Sequence, residues 1–254
     1  MKRAWLPALL APLLMGQAKP ELVPDVSQRD IEIAYSFTGA ELLLFGAILY
    51  PGGHAPGQGE RPADIVVVIK GPTESVVVRE KSKVAGIWVN AAQMRYRSAP
   101  SFYAMASSRP IRELVDERTR AIYELGLDSL QLSPASGAAP QIQQRFDNGI
   151  VDLKRRNGLF YEAPRAVEIT GGVLYRARLT IPARVPVGRF TAETFLIRDG
   201  RVLAAAVRPI EIRKSGFERF VATSADEHAI VYGLVAVGVS FLFGWGAGAI
   251  WRRF

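Results

Sequence analysis

From Ala229 to Trp251 the chain runs for 23 residues without Asp, Glu, Lys, Arg or His. No other feature of the sequence restricts the fold as much. As a helix rising about 1.5 Å per residue, the run reaches about 35 Å, enough to cross a hydrocarbon layer of about 30 Å with some tilt. A helix packed in a soluble core seldom continues so far without a polar face. Tyr232 near one end, and Trp245 and Trp251 toward the other, suit interfacial aromatic belts. Asp226 and Glu227 precede the run, and Arg252 and Arg253 close it. Because Lys and Arg are held on the cytoplasmic side, this topology flank predicts a transmembrane helix over 229–251, a cytoplasmic tail at 252–254 and a body outside.

The start of the chain points the same way. Lys2 and Arg3 precede an apolar stretch from Ala4 to Met15, and Gly16-Gln17-Ala18 offers small residues where a signal peptidase needs them. With Pro7 and Pro12 inside it, that stretch is short for a span. We therefore expect a signal peptide at 1–18; an uncleaved anchor would leave the body on the same side. The expected location is the inner membrane, with a periplasmic ectodomain. The chain has no cysteine, hence no disulfide, thiol chemistry or lipid-bearing cysteine. A body of about 200 residues can bury a sufficient core without them. Setting aside Lys2, Arg3, Arg252 and Arg253 from the 32 Lys and Arg leaves 28 against 24 Asp and Glu, a surplus of +4 for the body. So mild an excess, spread along the chain, does not read as nucleic-acid binding.

Residues 19–108 read as an N-terminal β portion. LVPDVS, IEIAYSF, ELLLFGAILY, DIVVVIK, ESVVVRE, GIWVN and SFYAMAS are β-branched and aromatic runs punctuated by Gly and Pro. Leu42–Leu44 and Val66–Ile69 lack alternation and predict central strands covered on both sides. Residues 109–158 read as a helical insertion. One helix is expected over PIRELVDERTRAIYEL, with Ile111, Leu114, Val115, Ile122 and Leu125 along a stripe. A second is expected after SPASGAAP, with Ile142, Phe146, Ile150 and Leu153, ending at Asn157-Gly158. Residues 159–213 return to strands. Val173, Tyr175, Ala177, Leu179 and Ile181 share one face of VLYRARLTI, and Arg176, Arg178 and Thr180 the other; Asp199-Gly200 predicts a tight hairpin. The expected architecture is mainly β: an immunoglobulin-like β-sandwich ectodomain with a helical insertion, plus the C-terminal transmembrane helix. Two small β lobes are the alternative. Residues 214–228 form a juxtamembrane segment, either a short surface helix or a plain linker.

No residues gather into a recognisable reaction centre, and no catalytic, cofactor or metal site is expected. The two histidines are His54, in a Gly/Pro loop, and His228, beside the span; neither has a partner at metal-ligand or triad spacing. Asp25, Asp30, Glu32 and Glu41 are close in sequence, but nothing selects a pair for hydrolysis. The glycine-rich loop 51–62 lacks the Gly-Lys-Ser/Thr of a phosphate cradle. Arg95, Tyr96 and Arg97, with Phe102 and Tyr103, offer either a cation-aromatic contact surface or an ordinary strand with a basic outer face. The strongest interaction feature lies in the span. Ala236, Ser240, Gly244 and Gly248 recur every fourth residue, forming a small-residue packing face that lets another helix approach, from a second copy or a polytopic partner.

The stretches ELLLFGAI, IVVVIKGP, VAGIWVN and PSFYAMASSRPI, then IPARVPVGRFTAETFLIRDGRV, KSGFE and the terminal span, resemble an alphaproteobacterial transmembrane protein family of unknown function. The resemblance covers nearly the whole mature chain. It implies an inner-membrane protein with a periplasmic domain, supplies no catalytic residues, and implies an accessory role beside a sulfite-exporter-type permease. The function expected is a non-enzymatic tethered module that contacts another membrane or envelope protein. A binding module for an anionic ligand or envelope polymer is the alternative, and a carboxylate-based hydrolase is less favoured.

Overall fold

Strand-forming runs dominate both halves of the body, and among the described residues they assemble into three sheets. The computed structural model describes residues 19–33, 39–53, 62–135, 137–214, 221 and 224–251. The strands are β1 (Glu21–Val26), β2 (Asp30–Ile33), β3 (Gly39–Leu49), β4 (Asp64–Lys70), β5 (Thr73–Val84), β6 (Ile87–Pro100), β7 (Tyr103–Ser107), β8 (Ser133–Pro134), β9 (Phe160–Pro164), β10 (Val167–Thr170), β11 (Leu174–Pro182), β12 (Gly188–Arg198) and β13 (Arg201–Lys214). The helices are α1 (Ile111–Leu114), α2 (Glu117–Tyr123), α3 (Pro140–Arg156) and α4 (Ala229–Trp251). The protein is mainly β, with one C-terminal apolar helix. The signal-peptide segment 1–18, the tail with Arg252 and Arg253, His54 and residues 215–220 of the juxtamembrane segment lie outside the described residues.

One sheet has the order β1-β3-β11-β10, a second β2-β13-β12-β4-β7-β9, and a third β5-β6-β8. Pairing is antiparallel except for β2 with β13 and β7 with β9, which run parallel. The first two sheets face each other around one apolar cluster. Leu22, Leu42, Leu44, Ile48 and Leu179 come from the four-stranded side, and Ile65, Val67, Ile69, Phe190 and Ile210 from the six-stranded side. The C-terminal strands are woven into both sheets, β11 against β3 and β12 against β4. Tyr161 stitches the sheets at one edge: its hydroxyl donates to Thr180 O at 2.9 Å and accepts from Thr180 N at 2.8 Å.

Alternation decides which strands are wet. In β11, Tyr175, Ala177, Leu179 and Ile181 are buried while Arg176, Arg178 and Thr180 are exposed. In β4, Ile65 to Ile69 are all buried, because the second face of the six-stranded sheet is also covered. There Val66, Val68, Met105 and Phe195 pack against Ile111, Leu114, Leu125 and Leu127. The same expectation for Leu42–Leu44 is corrected. Leu43 is only half-buried and Phe45 is exposed, since no layer covers the outer face of the four-stranded sheet among the described residues.

The single helix expected from Pro110 to Leu125 is also corrected. Val115 is extended (φ −144°, ψ 154°) and separates α1 from α2. Asp116 is the cause: its carboxylate accepts from Thr119 N at 2.8 Å, satisfying an orphan donor and starting a new helix in mid-run. Ile122 is consequently 61% exposed, off the expected stripe. In α3 the buried positions are Phe146, Ile150 and Lys154, while Ile142 and Leu153 face solvent.

The stretches ESVVVRE and GIWVN prove to be two arms of one long hairpin. The β4–β7 ladder ends with Lys70 opposite Tyr103. Gly71 N then donates to Phe102 O and Ser101 N to Pro72 O, each at 2.9 Å, and Thr73 faces Pro100 in the β5–β6 ladder. One two-stranded ribbon therefore runs from the six-stranded sheet out to Val84 opposite Ile87, with register shifts at Glu74/Val76 and Glu80/Lys81. Gly71 makes the junction possible, because a Cβ there would lie 2.5 Å from Ser101 Oγ and 3.0 Å from Phe102 N. The ribbon's base is held by α3: Met94, Tyr96 and Ala99 pack on Phe146 and Ile150. At its far end Ala85 (φ 49°) and Gly86 (φ 87°) form a two-residue turn with both central residues left-handed.

Candidate functional site

Among the described residues, Lys70 joins two carboxylates in one polar cluster. Its Nζ lies 2.7 Å from Glu124 Oε2 and 3.2 Å from Glu193 Oε2, at the mouth of a recess of about 390 Å³ lined also by Tyr123, Gln131 and Phe195. Lys70 ends β4, Glu193 lies on β12 and Glu124 caps α2 in a left-handed conformation. Tyr103 Oη donates to Glu124 O at 2.8 Å and accepts from Gly126 N at 2.9 Å. Burial opposes the charge on Lys70, but the hydrogen bond to Glu124 and the field of Glu193 outweigh it and hold the lysine pKa above its ordinary value. Each carboxylate is thus committed to one cation. The cluster clamps the helical insertion to the six-stranded sheet.

A second set pins the start of the insertion. Asp64 accepts from Arg109 Nε at 3.1 Å, Arg109 Nη2 at 2.5 Å and Ser108 Oγ at 2.7 Å. Among the described residues no group of three or more His, Cys, Asp and Glu is arranged to hold a metal ion. His228 is exposed at the approach to α4, where its carbonyl accepts from Tyr232 N at 2.9 Å.

The residues expected around Tyr96 separate into core and surface. Tyr96, Phe102 and Tyr103 are fully buried, and Tyr96 Oη donates to Asp147 Oδ1 at 2.6 Å. Arg95 and Arg97 stay exposed, with Arg97 Nη2 donating to Ala135 O at 2.9 Å. The stretch is a strand with a basic outer face. On the four-stranded sheet Arg176 pairs with Glu168 at 2.6 Å and Arg178 with Glu41 at 3.5 Å, so these outward cations already face carboxylates.

Among the described residues, apolar exposure is concentrated in three places. The outer face of the four-stranded sheet carries Val23, Phe45 and Leu174 around a recess of about 510 Å³. The ribbon tip carries Val84, Ile87, Trp88 and Val89. The third place is α4. Along it Ala236, Ser240, Gly244 and Gly248 fall on one face at four-residue spacing, and Ser240 Oγ donates to Ala236 O at 2.9 Å, turning its polar atom back into the helix. A Cβ added at Gly244 would meet nothing beyond the helix itself. Ala229–Gly248 is long and apolar enough to cross a membrane, and none of it is buried against the body.

A family described as "Putative transmembrane protein (Alph_Pro_TM)" matches residues 21–253. The chain belongs to this family. Membership and the apolar helix together fit association with a membrane through one candidate span. No curated protein matches the sequence. Among solved structures the chain is similar to the crystal structure of Spo0M, a sporulation control protein from Bacillus subtilis, with 11% identity and a TM-score of 0.29. The similarity covers 84% of this chain and 56% of that one, so the chain spans little more than half the length of that protein.

Proposed function

We propose that this protein is a non-enzymatic, single-pass module of the inner membrane whose periplasmic sandwich and span contact another membrane protein. The observation that carries the reading is the face of α4. It holds small residues at four-residue spacing on a helix with no charge and no cover from its own body. Such a face gains most from a second helix packed at close range. The non-enzymatic part rests on the acids that do cluster, Glu124, Glu193 and Asp64, each held by a cation. The reading of the body as an immunoglobulin-like sandwich is supported by strand order. β1, β3, β11 and β10 take the places of A, B, E and D; β4, β12 and β13 take those of C, F and G. On that reading the ribbon interrupts the connection after C, and the helices sit between β7 and β9.

Co-purification from solubilised membranes tests the function. A single dominant polytopic partner is expected, and a permease of the sulfite-exporter type is the first to look for. Gly244→Leu with Gly248→Leu should abolish its retrieval. Recovery of no partner, or unchanged recovery by the double variant, would overturn the reading.

A further inference from the structure

The β5–β6 ribbon leaves the body and ends in an apolar tip. Lys83 to Ala91 are all exposed, with Val84 56%, Ile87 69%, Trp88 66% and Val89 40% accessible. A two-stranded ribbon beyond its packed base is marginal in water, and large apolar side chains at its end gain nothing there. The register places Lys83 opposite Trp88 and Lys81 opposite Asn90 on one face, with Val84 opposite Ile87 on the other. From Lys81 to Met94 there are these two lysines and no acid. Aliphatic and indole side chains at a convex end, backed by cations, match a bilayer surface: the indole suits the interface and the ammonium groups suit anionic headgroups.

Topology carries the tip toward the membrane that α4 enters. β4 and β13 are both antiparallel to β12, so they run the same way, and Lys70 and Pro209 both face Thr191. Beyond that level β13 continues through residues 210–214, about 17 Å, and the ribbon through residues 71–84, up to about 45 Å. The 14 residues 215–228 between β13 and α4 have a contour length greater than that difference of about 30 Å.

We propose that the ribbon tip, led by Ile87 and Trp88 and backed by Lys81 and Lys83, inserts into the anionic headgroup layer of the membrane that α4 crosses. This rests on α4 being a span, and it gives the body a second, shallow attachment that fixes its tilt.

The native chain has no cysteine, so one nitroxide label can be placed on the full-length protein, at Ile87→Cys or, as a reference, at the exposed Leu153→Cys on α3. In vesicles of phosphatidylethanolamine and phosphatidylglycerol, the ratio of collisions with oxygen to collisions with a nickel chelate should be about threefold higher at 87 than at 153. Lys81→Glu with Lys83→Glu should remove the difference without changing the melting temperature. Equal ratios at the two sites overturn the proposal. So does protection of residue 87 that arises only in native membranes, which would assign the tip to a protein partner. Failure of α4 to span is read separately, as release of the protein from vesicles by alkaline washing, and loss of a co-purifying partner leaves the tip measurement untouched.

Discussion

Lys70 ties the helical insertion to the six-stranded sheet through Glu124. Replacing it with Met leaves Glu124 and Glu193 facing each other in a half-buried recess, without the cation both now contact. The expected loss is about 1–3 kcal/mol, below that of a fully buried pair because solvent reaches all three groups. Urea unfolding of the detergent-solubilised protein measures it. The pH dependence has a definite sign. The folded pKa of Lys70 is raised above 10.5, so its contribution is complete below that value and fades as pH climbs through the higher folded value. Wild type should therefore lose more stability than Lys70→Met between neutral and strongly alkaline pH; parallel curves would refute this role. Phe190 supplies a contrasting apolar case. It is fully buried, its ring 6.0 Å from that of Phe102, and truncation to Ala should cost about 3–5 kcal/mol in the same assay.

At the scale of elements, the ribbon turn is the place where sequence and geometry pull apart. Ala85 sits at φ 49°, a conformation Asn or Gly adopts with less strain. Ala85→Asn should stabilise the ribbon end by about 0.5–1 kcal/mol, read as slower hydrogen exchange at the tip amides. That mismatch also explains why the hairpin was hidden in the sequence: Ala-Gly lacks the signal that made Asp199-Gly200, with φ 48° and 76°, readable as a hairpin. β11 was legible because a wet face and a dry face alternate along it. The α1–α2 break was not, because the apolar spacing continues across Val115 while the side chain of Asp116 caps the start of a new helix locally. Nor could Leu42 and Val66 be told apart by composition: one apolar run ended up with a helical layer over it and the other with solvent. Asp116→Ala should fray the start of α2, seen as faster amide exchange over Glu117–Tyr123. For the candidate site, the small-residue face of α4 was visible from spacing alone, whereas the Lys70 cluster joins three residues that lie far apart in the chain and has no local signature.

For the whole molecule, the chain order interleaves early and late strands so thoroughly that neither half can hold a core without the other. β1 and β2 lie in different sheets although only three residues separate them. A truncation ending before β11 should therefore fail to give dispersed side-chain resonances, and a stable fragment 19–158 would contradict the packing described. The last strand has a further consequence. β13 is bonded along its length to β12 and, through Glu211–Lys214, to the parallel β2, and it is the segment that continues toward α4. A pull applied along β13 from Lys214 loads that strand lengthwise. Bonds lying across the direction of pull share the load and must rupture together, whereas a strand peeled from one end would part bond by bond. The six-stranded sheet is thus built to resist a pull along β13, the strand next before the candidate span in the chain.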